Sequence, residues 1–282
     1  MHQPFEGRTT EEKLQDLKEV LSRYDSMAVA LSGGVDSTLL AKVAHDVLGN
    51  SMIAITSASE SAPHQDILES QKFCADEGIE QVVVSYSELD IPGFADNPTN
   101  RCYLCKQELL KQMDKVCQTR DIHTLAEGSN LDDEGDYRPG LMAIAERGAA
   151  SPLREAHLTK QDVRDVSHML NLKTWNKPQT ACLSSRFPYW QKITQEKLEA
   201  VGEAEAYLHA LGVQQCRVRI HDKLARIEVE APDLLRLAQP DVRTGICKRF
   251  HELGFVYVTL DLDGFRSGSM NAVLQGDAHH TT

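Results

Sequence analysis

Residues 27–48 read MAVALSGGVDSTLLAKVAHDVL. Met27 to Leu31 is a short apolar run. Ser32-Gly33-Gly34-Val35-Asp36-Ser37 follows. Leu39, Leu40, Val43, Ala44 and Val47 then recur at helical spacing, and Gly49 stands where a helix would stop. The pattern predicts a strand, a tight glycine turn and a helix. Paired glycines let the backbone take positive φ and approach a ligand closely. The turn feeds a helix N-terminus, whose unpaired N–H groups and dipole favour an anion, and Ser32, Ser37 and Thr38 add hydroxyl donors. Asp36 would repel a bare phosphate. It makes sense where a magnesium ion bridges its carboxylate to phosphates.

Outward from this unit the periodicity alternates. Thr10 to Tyr24 reads as a helix with one apolar stripe. Met52 to Thr56, Gln81 to Tyr86 and Ile122 to Glu127 read as strands, and Pro63 to Glu77 as a helix closed by Gly78. A further helix runs from the Cys102–Cys105 region to Arg120. Ser151 to Leu170 reads as one helical unit, with capping-box spacing at Thr159 and Asp162. Alternating strand and helix predicts an α/β fold with a doubly wound parallel sheet. After a loop at 173–189 rich in Pro, Ser and aromatics, the order becomes α-β-β-α-β: Thr194–Leu211, Gln215–Ile220, Leu224–Val229, Pro232–Leu253 and Phe255–Leu262. The expectation is a first domain at 1–189 and a smaller α+β domain at 190–282 for substrate binding and oligomerisation.

The chain of 282 residues, 41% hydrophobic and 26% charged, is long enough to bury a real core. Its net charge of −12 argues against a protein that grips nucleic acid by its phosphates. No apolar run has the length of a membrane span, and the polar first ten residues lack a secretory h-region. Seven cysteines, an odd number, do not make a disulfide scaffold. These features point to a reducing cytoplasm, where cysteines are core residues, metal ligands or nucleophiles.

Residues just past strand ends line the ligand crevice of such sheets, which places Thr56 and Ser57 near a nucleotide. Gly128-Ser129-Asn130 occupies the equivalent place after the 122–127 strand, with Asp132, Asp133 and Asp136 behind it. Carboxylates clustered beside a polyphosphate site suit magnesium, although a solvated turn would look similar. Cys102-x-x-Cys105 can put two thiolates on one centre, or be two chance cysteines at a helix start. Cys182 sits in a loop, Thr180 to Arg186, with no packing period. Three cysteines leave one iron of a cubane cluster open to another ligand. Zinc on the same set, or Cys182 as a lone nucleophile, remain open alternatives. Cys74, Cys117, Cys216 and Cys247 fall within regular elements and read as core. Among the arginines, Arg266 stands between glycines after a strand, as an anion-binding guanidinium would.

The SGGVDS turn resembles the PP-loop of ATP pyrophosphatases, which implies ATP cleaved between its α and β phosphates. ALSGGVDSTLL, RCYLCK, DYRPGL, WNKPQTACLSSRFPY, RVRIHDKLARIE and YVTLDLDGFRSGSMN together resemble the LarE family, ATP-dependent sulfur transferases of nickel-pincer cofactor synthesis. The resemblance implies a PP-loop domain holding Mg-ATP through Ser32, Gly33, Gly34, Asp36 and Ser37, and a homo-oligomer. It implies a pyridinium-3,5-biscarboxylic acid mononucleotide as substrate. One carboxylate is adenylated and then converted to a thiocarboxylate. It implies that Ser185, Arg186 and Arg217 bind the mononucleotide phosphate. One branch of the family sacrifices a cysteine, whose position falls at Ala181 here. The other holds a 4Fe–4S cluster on three cysteines, and Cys102, Cys105 and Cys182 look like that set. A tRNA thiolase of the same superfamily, and LarE chemistry with Cys182 as sacrificial donor, are the competing readings. An ammonia-using synthetase leaves the three cysteines unexplained, and intact Ser32, Asp36 and Ser37 speak against a nucleotide sensor without turnover.

Overall fold

The computed structural model describes residues 7–133, 139–178, 181–266 and 269–271. Asp136, Tyr137, Arg138, Thr180, Ser267 and Gly268, all named from the sequence, lie outside the described residues. In chain order the elements are α1 (Thr10–Leu21), β1 (Met27–Ala30), α2 (Val35–Leu48), β2 (Met52–Ala58), α3 (His64–Glu77), β3 (Gln81–Ser85), α4 (Arg101–Arg120), β4 (Thr124–Ala126), α5 (Pro139–Arg147), α6 (Pro152–Glu155), α7 (Lys160–Met169), α8 (Gln195–Ala210), β5 (Cys216–His221), β6 (Leu224–Val229), α9 (Ala231–Leu237), α10 (Pro240–Glu252) and β7 (Tyr257–Leu260).

Contacts divide the chain into two units. The first comprises Met1–Ser87 and Asn100–Thr180, the second Glu88–Thr99 and Ala181–Thr282. Residues 181–189, grouped with the first domain by the composition shift, count with the second unit here, as does the segment 88–99.

In the first unit four parallel strands run in the order β3-β2-β1-β4. The alternation of a pleated strand sorts its core into two layers. Met27 and Val29 of β1, with Met52 and Ala54 of β2, pack on the side of Leu17, Leu39, Leu40, Val43 and Val163 from α1, α2 and α7. Ala28, Ile53 and Ile55 pack on the opposite side against Met113 and Cys117 of α4. Helices on both faces are what the near-continuous apolar strands demand. The strand order reverses at β1: β2 lies on one side and β4 on the other. The crevice beyond the C-terminal ends of β1 and β4 is therefore the topological switch point, the place where such sheets bind ligands.

The second unit has a three-stranded sheet, β5-β6-β7, with β5 and β6 antiparallel and β6 and β7 parallel.

Two helical expectations are corrected and one helix is added. The single unit at 151–170 is two helices, α6 and α7, because His157 takes φ +55° between them. The box at Thr159 and Asp162 starts the second of these, with both reciprocal bonds made. The helix expected at 232–253 breaks into α9 and α10, where Pro240 opens a new first turn. The helix α5 was not anticipated at all. No helix among the described residues is long and apolar enough to cross a membrane.

Candidate functional site

In the first unit the glycine turn is held by its own hydroxyls. Ser37 Oγ donates to the Gly34 carbonyl at 3.2 Å and accepts from the Ser32 amide at 3.2 Å, and it lies 3.1 Å from Ser32 Oγ. Gly33 has φ +76°, and a Cβ there would sit 2.9 Å from the Asp66 carbonyl oxygen, so only glycine fits. Gly34 is the N-cap of α2 and supplies no side-chain cap. The first-turn amides of a 14-residue helix thus face the switch point without a capping side chain.

Asp36 gathers residues from distant elements. Asn130 Nδ2 donates to its Oδ1 at 3.1 Å, and Lys160 Nζ is ion-paired to its Oδ2. The Lys160 ammonium is a cation already seated on the carboxylate, an arrangement that fits a site built for positive charge. Gly128, after β4, comes so close that a Cβ would lie 3.0 Å from the Ser37 nitrogen and 3.2 Å from the Asp36 carbonyl carbon. Asp132 and Asp133, expected beside magnesium, each spend a carboxylate oxygen on a backbone amide, that of Lys160 at 2.8 Å and that of Asn130 at 3.1 Å. They shape the loop that delivers Asn130 and Lys160.

The two residues expected at the end of β2 differ. Thr56 Oγ1 donates to the Leu31 carbonyl at 2.9 Å and accepts from Gln81 Nε2 at 2.8 Å, so it ties β1, β2 and β3 together. The Ser57 hydroxyl is buried and has no hydrogen-bond partner among the described residues. A buried donor left unpaired by protein is a natural ligand contact. Beneath the turn, Lys177 Nζ donates to the Gly33 carbonyl at 3.0 Å, to Asp66 at 2.8 Å and to Glu69 at 2.7 Å. Burial works against its charge, yet the two carboxylates outweigh it and its pKa lies above the ordinary lysine value.

Cys102 and Cys105 occupy the first turn of α4, three residues apart and hence on one helix face. Neither is in a disulfide; Cys102 is exposed and Cys105 half-buried, and Arg101 Nη2 lies 3.7 Å from Cys102 Sγ. Reduced thiols at this spacing suit a thiophilic centre. Among the described residues no group of three or more His, Cys, Asp or Glu side chains stands together as a metal site.

In the second unit Cys182 is exposed and immediately precedes a turn of 3₁₀ helix, Leu183–Arg186. Arg186, Arg217 and Arg219 lie close by one another. Arg219 pairs with Glu228 at 2.9 Å and donates to the Ser185 carbonyl at 2.9 Å. Arg217, only 7% exposed, stacks its guanidinium 5.1 Å from the Phe265 ring centroid. Burial, and then the neighbouring Arg186, push its pKa down to about 10. A bound anion would relieve both effects. Arg266 is exposed and paired with Asp263 at 2.9 Å.

Residues 10–101 match the family described as NAD synthase. An uncharacterised protein of Synechocystis sp. is 44% identical over 94% of this chain and 98% of its own length. The pyridinium-3,5-bisthiocarboxylic acid mononucleotide synthase of Lactiplantibacillus plantarum, a LarE enzyme, is 35% identical over 93% of this chain and 95% of its own. The chain belongs to the LarE family. It is an ATP-dependent enzyme built on the PP-loop fold. A more partial likeness, 28% identity over 57% of this chain, links it to the GMP synthase of Chlamydia caviae, of which it covers 30%.

Within this LarE-family site, Lys160 and Lys177 are functional candidates that the strand-end positions do not single out, beside Asn130, which its place after the 122–127 strand had put at the crevice. Lys160 carried a signal. It opens α7, where a positive side chain opposes the helix dipole. A local cost of that kind marks a residue placed for another reason. Lys177, beside Pro178 in a loop, carried none. The close approach of Gly128 yields a direct expectation: Gly128→Ala pushes the Ser37 amide and Asp36 out of line. Pyrophosphate release then falls about tenfold or more with the circular dichroism spectrum unchanged.

Proposed function

We propose that the chain transfers sulfur, at the expense of ATP, to a carboxylate of a pyridinium-3,5-biscarboxylic acid mononucleotide. The observation that carries this reading is the convergence of Gly128, Asn130 and Lys160 on Asp36 at the open N-terminus of α2. Asp36 would hold the magnesium of Mg-ATP. The uncapped amides of α2, with Ser32, Gly33, Gly34 and Ser37, would take the phosphates, and Ser57 the nucleoside end. Lys160, freed from Asp36 by the metal, has the charge and reach to neutralise departing pyrophosphate.

The chemistry follows from leaving-group ability. A substrate carboxylate oxygen attacks the α phosphorus, the α–β bridge breaks, and pyrophosphate leaves with its electron pair. Sulfide then attacks the acyl carbon, the C–S bond forms and the C–O bond to AMP breaks. Free carboxylate has no comparable leaving group. Ser185 and Arg217 are assigned to the mononucleotide phosphate, which suits a buried guanidinium whose charge its surroundings disfavour.

Cys102, Cys105 and Cys182 are the residues that would hold a 4Fe–4S cluster, and their reduced thiols fit it chemically. Bound there, such a cluster supplies an iron with a coordination position open to sulfide. The acidic balance of −12 supports a small anionic substrate over RNA, and the family resemblance supports a homo-oligomer. Adding the mononucleotide and sulfide to protein with Mg-ATP tests the reading. AMP and pyrophosphate should form in equal amounts, and ADP with phosphate would contradict it.

A further inference from the structure

We propose that Arg186 is a positioning residue for Cys182 and not a ligand of the substrate phosphate. The inference rests on the reading that the Cys182 thiol takes part in sulfur transfer. Arg186 is 2% exposed. One edge of its guanidinium is spent on Glu205: Nε donates to Oε1 at 2.8 Å and Nη2 to Oε2 at 2.8 Å. A bidentate fork of this kind is the geometry an arginine would otherwise offer to phosphate. The other side is spent too. Nη1 donates to the Ala181 carbonyl at 2.9 Å, the Cys182 carbonyl at 3.2 Å and Ser185 Oγ at 2.7 Å.

Glu205 is itself fixed. It lies on α8, and its Oε1 also accepts the Val218 amide of β5 at 2.8 Å. A continuous polar chain therefore runs from the middle of β5, through Glu205 and Arg186, to the carbonyls of Ala181 and Cys182. The Ser185 amide closes the turn on the Cys182 carbonyl at 3.0 Å. Holding two successive carbonyls sets the backbone on either side of the cysteine. Leu183 and Ser184 are turned inward and Cys182 outward. Arg217, two residues from Arg219 on the same face of β5, keeps the anion-binding role.

Arg186→Lys retains a charge for Glu205 but not the fork. In the full-length protein, three quantities separate the two roles: the hydrogen-exchange rate of the Ser185 amide, the alkylation rate of Cys182 by iodoacetamide, and kcat against KM for the mononucleotide. The proposal expects Ser185 exchange to rise about tenfold or more, Cys182 alkylation to change, and kcat for thiocarboxylate formation to fall by a similar factor with KM held within about twofold. A mononucleotide KM raised about tenfold with exchange and alkylation unaltered would overturn it and make Arg186 a phosphate ligand. Where circular dichroism shows the variant unfolded, Glu205→Gln, which keeps the volume and one acceptor, takes its place. The wild type gives an arm independent of either variant: a Ser185 amide exchanging at the unprotected rate contradicts the latch. Failure of the sulfur-transfer reading shows separately, as wild-type protein with no mononucleotide-dependent turnover while exchange still reports the latch.

Discussion

Asp36→Asn is expected to cut pyrophosphate release by about 100-fold or more while leaving the circular dichroism spectrum and melting temperature close to wild type. Asn has the same shape, and its carbonyl can still accept from Asn130. What disappears is the charge that would fix magnesium and that currently pairs with Lys160. Both partners of that pair are partly solvent-exposed, 32% for the lysine side chain and 22% for the aspartate, so the fold loses little with it. Normal turnover by the variant would remove Asp36 from the chemistry and, with it, the reason for the convergence of Gly128, Asn130 and Lys160.

Cys102→Ala, Cys105→Ala and Cys182→Ala should each abolish repeated thiocarboxylate formation while leaving mononucleotide-dependent pyrophosphate release largely intact. Adenylation would need the switch-point residues and the groups that hold the mononucleotide, none of them a cysteine, whereas sulfur delivery would need the thiols. Cys117→Ala should leave both activities in place, since Cys117 is packed against Met113 and the sheet. The remaining buried thiols are poor nucleophiles. Desolvation pushes Cys74 up to about 11, and burial, with Glu205 adding to it, pushes Cys216 up to about 12. Intact mass after turnover separates the two sulfur sources. An unchanged protein mass with many turnovers supports an externally supplied sulfide. Loss of one H₂S from the peptide containing Cys182, after a single turnover, would make that cysteine a sacrificial donor one position beyond Ala181.

The switch-point turn was legible because its reasons are local. Two glycines, hydroxyls and a carboxylate between an apolar run and a helical stripe are seldom brought together by packing alone. The parallel sheet followed from apolar strands alternating with amphipathic helices. Lys160 was not legible as a partner of Asp36, because 124 residues separate them and only the strand order brings the two loops together. The same holds for Arg186. The family resemblance implied a phosphate ligand there, and nothing local shows that Glu205, in the next helix, already fills the fork. Thr56 illustrates the converse. The strand-end rule placed it correctly in the chain, but its hydroxyl is consumed by Leu31 and Gln81, and Ser57 is the neighbour with a hydroxyl to offer. Helix breaks at His157 and Pro240 escaped notice because apolar spacing continues across both.

Sulfur transfer by this route requires that a carboxylate oxygen of the mononucleotide become bonded to the α phosphorus of ATP. The most direct test supplies mononucleotide labelled with ¹⁸O in its carboxylates, together with Mg-ATP, and determines the isotopic content of the AMP released. The predicted result is one ¹⁸O in each AMP, because the acyl C–O bond breaks when sulfide or water attacks the acyl carbon. AMP without the label, or ADP in its place, would contradict it.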